Sequence, residues 1–204
     1  MVLYIDALFK RGRNCPSMCA SAFGVKDMTS DTEGARDIPP HLLVPSAILV
    51  ATGDGDARLF DCEETDKLLA DFGEYMETAP LTGFETCIGW YMDQFVIPAI
   101  CASSMATGTR SVTRWMRRLD DKWSKTQALS LERALFQGWY PESRKEFADG
   151  RAGLTLEDAL ATCGLPPLEE LGDDDMPGAA SILLPRIAGI NLLYNRYLKV
   201  STRP

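Results

Sequence analysis

The chain is poor in the residues that most often carry chemistry. Its one histidine, His41, lies in a proline-flanked connector, so no nucleophilic triad can be assembled around an imidazole. Of six cysteines only Cys15 and Cys19 lie close together, whereas a zinc centre needs about four ligands in two tight pairs. Free and mostly buried thiols are the expectation. Glycine-rich phosphate cradles are absent, because Gly53 and Gly55 sit in a turn too short for one. No apolar run approaches the ~18 residues of a membrane span. The first residues are apolar and the basic Lys10, Arg11 and Arg13 follow them, the reverse of a secretory signal, so a cytoplasmic setting is expected. A formal charge of −8 argues against a protein that coats nucleic acid with its whole surface. It leaves room for a local basic groove.

What is present is ordinary globular material. The chain has 204 residues, with 46% hydrophobic and 25% charged, enough for one domain with a sizeable core. We expect a single domain over 1–204 with a long polar insertion at about 9–40. Residues 2–6 read as the first, central strand, 46–52 as the second and 57–62 as the third, with a hairpin turn at Asp54-Gly55-Asp56. Residues 63–77 place Leu68, Leu69, Phe72, Tyr75 and Met76 on one helical stripe. A fourth strand is expected around 85–90, then a helix from near Gln94 with Pro98 in its first turn, where no backbone hydrogen is needed. Thr155 is a candidate N-cap with Asp158 three residues on, and Gly164 a stop after that helix. A last helix is expected over about 181–200, with Leu183, Ile187, Asn191, Tyr194 and Leu198 on one face.

The segment Ile88-Gly89-Trp90-Tyr91, running into Phe95-Val96-Ile97-Pro98, resembles the second motif of the DEDD 3′–5′ exonucleases. The likeness is to the proofreading domain of family-B DNA polymerases and to stand-alone polymerase-B-like exonucleases. Leu154-Thr-Leu-Glu-Asp-Ala-Leu-Ala-Thr-Cys-Gly-Leu165 and the aromatic last helix resemble later segments of the same family in the same order. The resemblance implies an α/β, RNase H-like mixed sheet with flanking helices. It also implies four carboxylates that hold a pair of divalent cations, magnesium or manganese.

Most of those carboxylates are missing. Asp6 matches the first acid, but Leu8 stands where the glutamate belongs. The family's Asn falls on Tyr91 and its metal-binding Asp on Val96. Ala128 lies at the closest register for a third acid, Ile187 replaces the Tyr that orients water, and Asn191 replaces the last Asp. Asp93 and Glu85 are the candidates to rebuild a shell, with surface or turn positions the plainer reading for both. Asp6 itself reads equally well as a strand-end acid accepting hydrogen bonds. A vestigial site without metal is therefore the expectation, with magnesium or manganese a cofactor only if the site is active.

One segment concentrates positive charge. Arg110, Arg114, Arg117 and Arg118 share a face if 109–125 is helical, and Lys122 and Lys125 extend it. That stripe either lines a phosphate track or is a solvated face. Trp115 and Trp123 either stack on bases or pack in the core. Three functions stay open. The chain is a degenerate exonuclease-like domain that binds single-stranded DNA or RNA in replication or repair, a scaffold for a protein partner, or an active metal-dependent 3′–5′ exonuclease with a rearranged site.

Overall fold

The apolar run at the start of the chain forms the strand on which the others are assembled. In a computed structural model, which describes residues 2–11, 43–53, 55–78, 86–110, 112, 127–136, 155–169 and 178–201, this strand is β1, Val2–Arg11. The side chains of Lys10, Arg11, Asp93, Gln94, Gln127 and Phe136 lie outside that description. Every residue of β1 from Leu3 to Phe9 is buried, as a strand covered on both faces requires. That is why it reads as an apolar run, broken from Val2 to Phe9 only by Asp6, and not as an alternation.

On one side β1 pairs antiparallel with β2 (Leu43–Thr52), from Leu3 opposite Thr52 to Arg11 opposite Leu43, with a bulge at Leu8 and Phe9. A tight turn, in which Thr52 N–H donates to Asp56 O and Gly55 takes a φ of 99°, leads to β3 (Ala57–Asp61). Glycine is required there, since a side chain would be strained at that φ. On its other side β1 runs parallel to β4 (Thr86–Gly89), which runs parallel to β5 (Gln127–Ser130). The order β3-β2-β1-β4-β5 is the expected α/β architecture, an RNase H-like mixed sheet with flanking helices.

Among the described residues five α-helices flank the sheet: α1 (Thr65–Thr78), α2 (Ile97–Thr107), α3 (Leu131–Phe136), α4 (Leu156–Thr162) and α5 (Ala179–Ser201). The stripe on α1 is buried at Leu68, Leu69, Phe72 and Met76, and Phe72 meets Phe60 of β3 edge to face at 5.6 Å. Pro98 does occupy the first turn of α2. Thr155 caps α4 by accepting from Asp158 N–H at 2.9 Å. At the other end Gly164, at φ 63°, lets Leu165 N–H reach Leu160 O and its own N–H reach Ala161 O. The long helix α5 lies against β1, β2 and β4, and α3 and α4 pack on it. Its buried Gly189 admits α4 and the segment after it closely, because a Cβ there would come within 2.6 Å of Leu168 Cδ2 and 3.2 Å of Leu160 Cδ1.

Several expectations need correction. Phe9, Lys10 and Arg11 belong to β1 and not to the following loop; the mixed polarity of Lys10 and Arg11 hid a strand that backbone pairing with Val44 and Leu43 sustains. The helix expected from Gln94 begins at Ile97, after a wider π-helical turn over Met92–Val96. Of the described thiols, none of which is in a disulfide, only Cys87 is fully buried; Cys62, Cys101 and Cys163 are half-buried. Leu198 is 36% exposed, since α5 runs past the edge of its cover. Glu85, Arg114, Trp115, Arg117, Arg118, Lys122, Trp123, Lys125 and most of the 9–40 insertion lie outside the described residues. Among the described residues no helix is long and apolar enough to cross a membrane.

Candidate functional site

Asp6 sits in the middle of the central strand and is 2% exposed. A carboxylate this deep must have its charge and its lone pairs answered by the protein. One oxygen, Oδ1, accepts from the neighbouring Ala7 N–H at 3.0 Å. The other, Oδ2, accepts from Nε of Arg186 at 2.6 Å, and Arg186 itself is 8% exposed. This is a short, charge-assisted contact between the first strand and the last helix.

The second wall of the site comes from the end of β4. Gly89 brings that strand so close to β1 that a Cβ would lie 2.7 Å from Ile5 O and 2.9 Å from Met92 Sδ. Two residues later Tyr91 takes a left-handed conformation, φ 52° and ψ 36°, and it is the one described residue other than glycine that does so. Asn enters that region more readily than Tyr, so a family-type Asn at this position would carry less strain. Phe95 and Val96 N–H groups both donate to Tyr91 O, at 3.0 and 3.2 Å, and Ile97 N–H donates to Met92 O. These bonds define the wide π turn. Met92 N–H donates to Ser130 Oγ at 3.2 Å, tying the turn to β5.

The turn closes the space beside Asp6. Phe9, Trp90, Tyr91, Phe95 and Val96 surround, with Asp6 and Arg186, a void of about 10 Å³. That is room for about one water molecule. Phe9 meets Phe95 edge to face at 5.2 Å, and Trp90 meets Tyr91 likewise at 5.6 Å.

Of the residues singled out from sequence, the structure brings Asp6, Tyr91 and Val96 together around this void. Leu8 and Ile187 are buried, 8% and 6% exposed, and do not line it. Asn191 is held further along α5, where its Oδ1 accepts from Tyr4 Oη at 2.8 Å and from Asn195 Nδ2 at 2.8 Å. Burial pushes the Tyr4 phenol above its usual range, and the neighbouring Tyr194 phenol adds to the rise. Ala128 lies on β5 opposite Cys87 and offers no side-chain oxygen. Arg110, beyond the end of α2, is exposed.

Among the described residues, no three His, Cys, Asp or Glu side chains converge as a metal site would need. Among the described residues Asp6 is the sole carboxylate on the void, and a guanidinium already sits against it. This donor set does not fit a pair of divalent cations, which takes several carboxylate oxygens. Arg186 is the residue that sequence reading missed. A signal existed, for Arg186 is the one charged residue between Ala179 and Asn195 in an otherwise apolar helix. A lone cation there must be paired if it is buried.

No protein-family model and no curated protein matches the chain. Among solved structures the chain is similar to E. coli exonuclease I in complex with a dT13 oligonucleotide, with a TM-score of 0.51 at 12% identity over 98% of this chain and 42% of that one. A product-bound exonuclease I gives 0.49 at 12% identity, over 98% of this chain and 45% of that one. An apo exonuclease I gives 0.48 at 13%, over 98% and 43%. The chain thus spans less than half the length of these proteins. The first likeness shows an exonuclease-like fold.

Proposed function

We propose that this chain is a 3′–5′ exonuclease-like domain that no longer hydrolyses nucleic acid and instead binds single-stranded DNA or RNA as an accessory protein. The observation that carries the loss of hydrolysis is the Asp6–Arg186 pair, which puts a fixed organic cation where the first metal-binding carboxylate of the resembled family would meet its metal. Leu8 and Val96, two further positions of that family's acids, are buried and apolar. Among the described residues, water activation by paired cations has no donor set.

Strand binding rests on two supports. The fold is like that of an exonuclease whose solved structure holds a dT13 oligonucleotide. The sequence also concentrates Arg110, Arg114, Arg117, Arg118, Lys122 and Lys125 in one segment, suited to a phosphate backbone. In this reading residues 1–204 form one domain, no divalent cofactor is required, and the setting is cytoplasmic.

A labelled single-stranded oligonucleotide, titrated with and without magnesium or manganese while its 3′ end is followed, tests the reading. Binding without shortening is expected, weakening as salt rises and when Arg114, Arg117 and Arg118 become Glu. Shortening that disappears in Asp6→Ala would show an active enzyme. Neither binding nor shortening would leave the fold as a scaffold for a protein partner.

A further inference from the structure

We infer that Arg186 is the resident cation of the Asp6 site, so that the pocket takes up no divalent ion. The inference deepens the reading of a site without hydrolysis and rests on it. Both oxygens of Asp6 are engaged, one by Ala7 N–H and one by Arg186 Nε. A magnesium or manganese ion binds carboxylate oxygen at about 2.0–2.2 Å and keeps several of its own waters. The space left beside Asp6 is about 10 Å³, close to a single water, and its other walls are aromatic rings and Val96.

The guanidinium also differs from a metal in permanence. Arginine stays protonated at every pH a protein survives, and its cation is tied covalently to α5, so it cannot be removed by a chelator or diluted away. The guanidinium already sits against the Asp6 carboxylate, out of water. An ion entering would meet the repulsion of the guanidinium. The pair therefore joins β1 to α5 in the structural role that bound metal plays in other sites.

The test uses the full chain and no nucleic acid. Thermal unfolding is followed in EDTA, then in millimolar magnesium and manganese, for the wild type and for Asp6→Asn, Arg186→Met and the double variant. A ligand that binds the native state raises the midpoint by mass action. We expect no metal-dependent rise in the wild type, a lowered midpoint in each single variant, and recovery of most of the loss in the double variant. Should Arg186→Met not fold, Arg186→Lys keeps the charge without the guanidinium fork, and the metal titration of the wild type needs no variant. A manganese-dependent rise that vanishes in Asp6→Asn would overturn the inference, as would a double variant whose loss equals the sum of the singles. A protein that binds strands but fails this test loses the resident cation and keeps its strand binding; one that passes it but binds no strand does the reverse.

Discussion

The helix α5 meets the strand β1 at two polar contacts, and the two are built differently. Asp6 with Arg186 is a pair of opposite charges shut away from water. Tyr4 with Asn191 is a neutral hydrogen bond, half open, with Asn195 sharing the acceptor. They lie two residues apart on the strand and five apart on the helix, spans of about 6.6 and 7.5 Å, so both fit one antiparallel crossing of helix over strand. Geometry alone would let either chemistry sit at either place. The difference lies in what happens when a partner is lost: water can reach Asn191, but a carboxylate at 2% exposure would keep its charge unanswered.

The sharpest way to break this comparison is Arg186→Met. Removing one partner of a buried pair should cost ~3–5 kcal/mol in urea unfolding, and adding Asp6→Asn should return most of it. If Arg186→Met costs no more than a change at Asn191, the two contacts are not different in kind. Next comes Gly89→Ala. Its new Cβ would press on Ile5 O, between Tyr4 and Asp6, and should disturb both contacts for ~1–3 kcal/mol. Gly189→Ala is the control, since its Cβ meets only the ends of the Leu168, Leu160 and Leu156 side chains and no backbone, and should cost less.

At the neutral contact Tyr4→Phe should cost ~1 kcal/mol, because Asn191 keeps Asn195 and can still find water. Here pH sharpens the contrast. The Tyr4 pKa is raised above its ordinary 10.0, so the unfolded chain gives up that proton first. The resulting stability is whole below pH 10 and is lost as pH climbs to the folded value. Unfolding at stepped alkaline pH should show this loss in the wild type and lack it in Tyr4→Phe. The smallest effect belongs to the exposed Asn195→Ala, within ~0.5 kcal/mol.

The parts of the fold that follow from local chemistry were legible in the residues. The strand from Val2, the stripe on α1, Pro98 in a first turn and the Thr155 cap each need only neighbours in sequence. The parts that depend on distant partners were not. Lys10 and Arg11 stay extended because β2 supplies their hydrogen bonds, and nothing in their own side chains says so. Tyr91 is left-handed because a wide turn must bring Phe95 and Val96 over Asp6, an arrangement set by β1 and β5. At the site, alignment to a known pattern directs attention to Ile187 and Asn191, where acid or phenol is missing. The decisive side chain stood one place earlier, at Arg186, where the pattern expects nothing.

Asp6 and Arg186 are 180 residues apart in the chain. During synthesis at roughly 5–20 residues per second, the carboxylate would emerge about 10–40 s before the guanidinium that answers it. Through that interval the centre of the sheet cannot be sealed without stranding a charge. The nascent chain must therefore keep its first strand wet until its last helix arrives. Arrival of α5, and not of any strand of the sheet, is the event that dries the core.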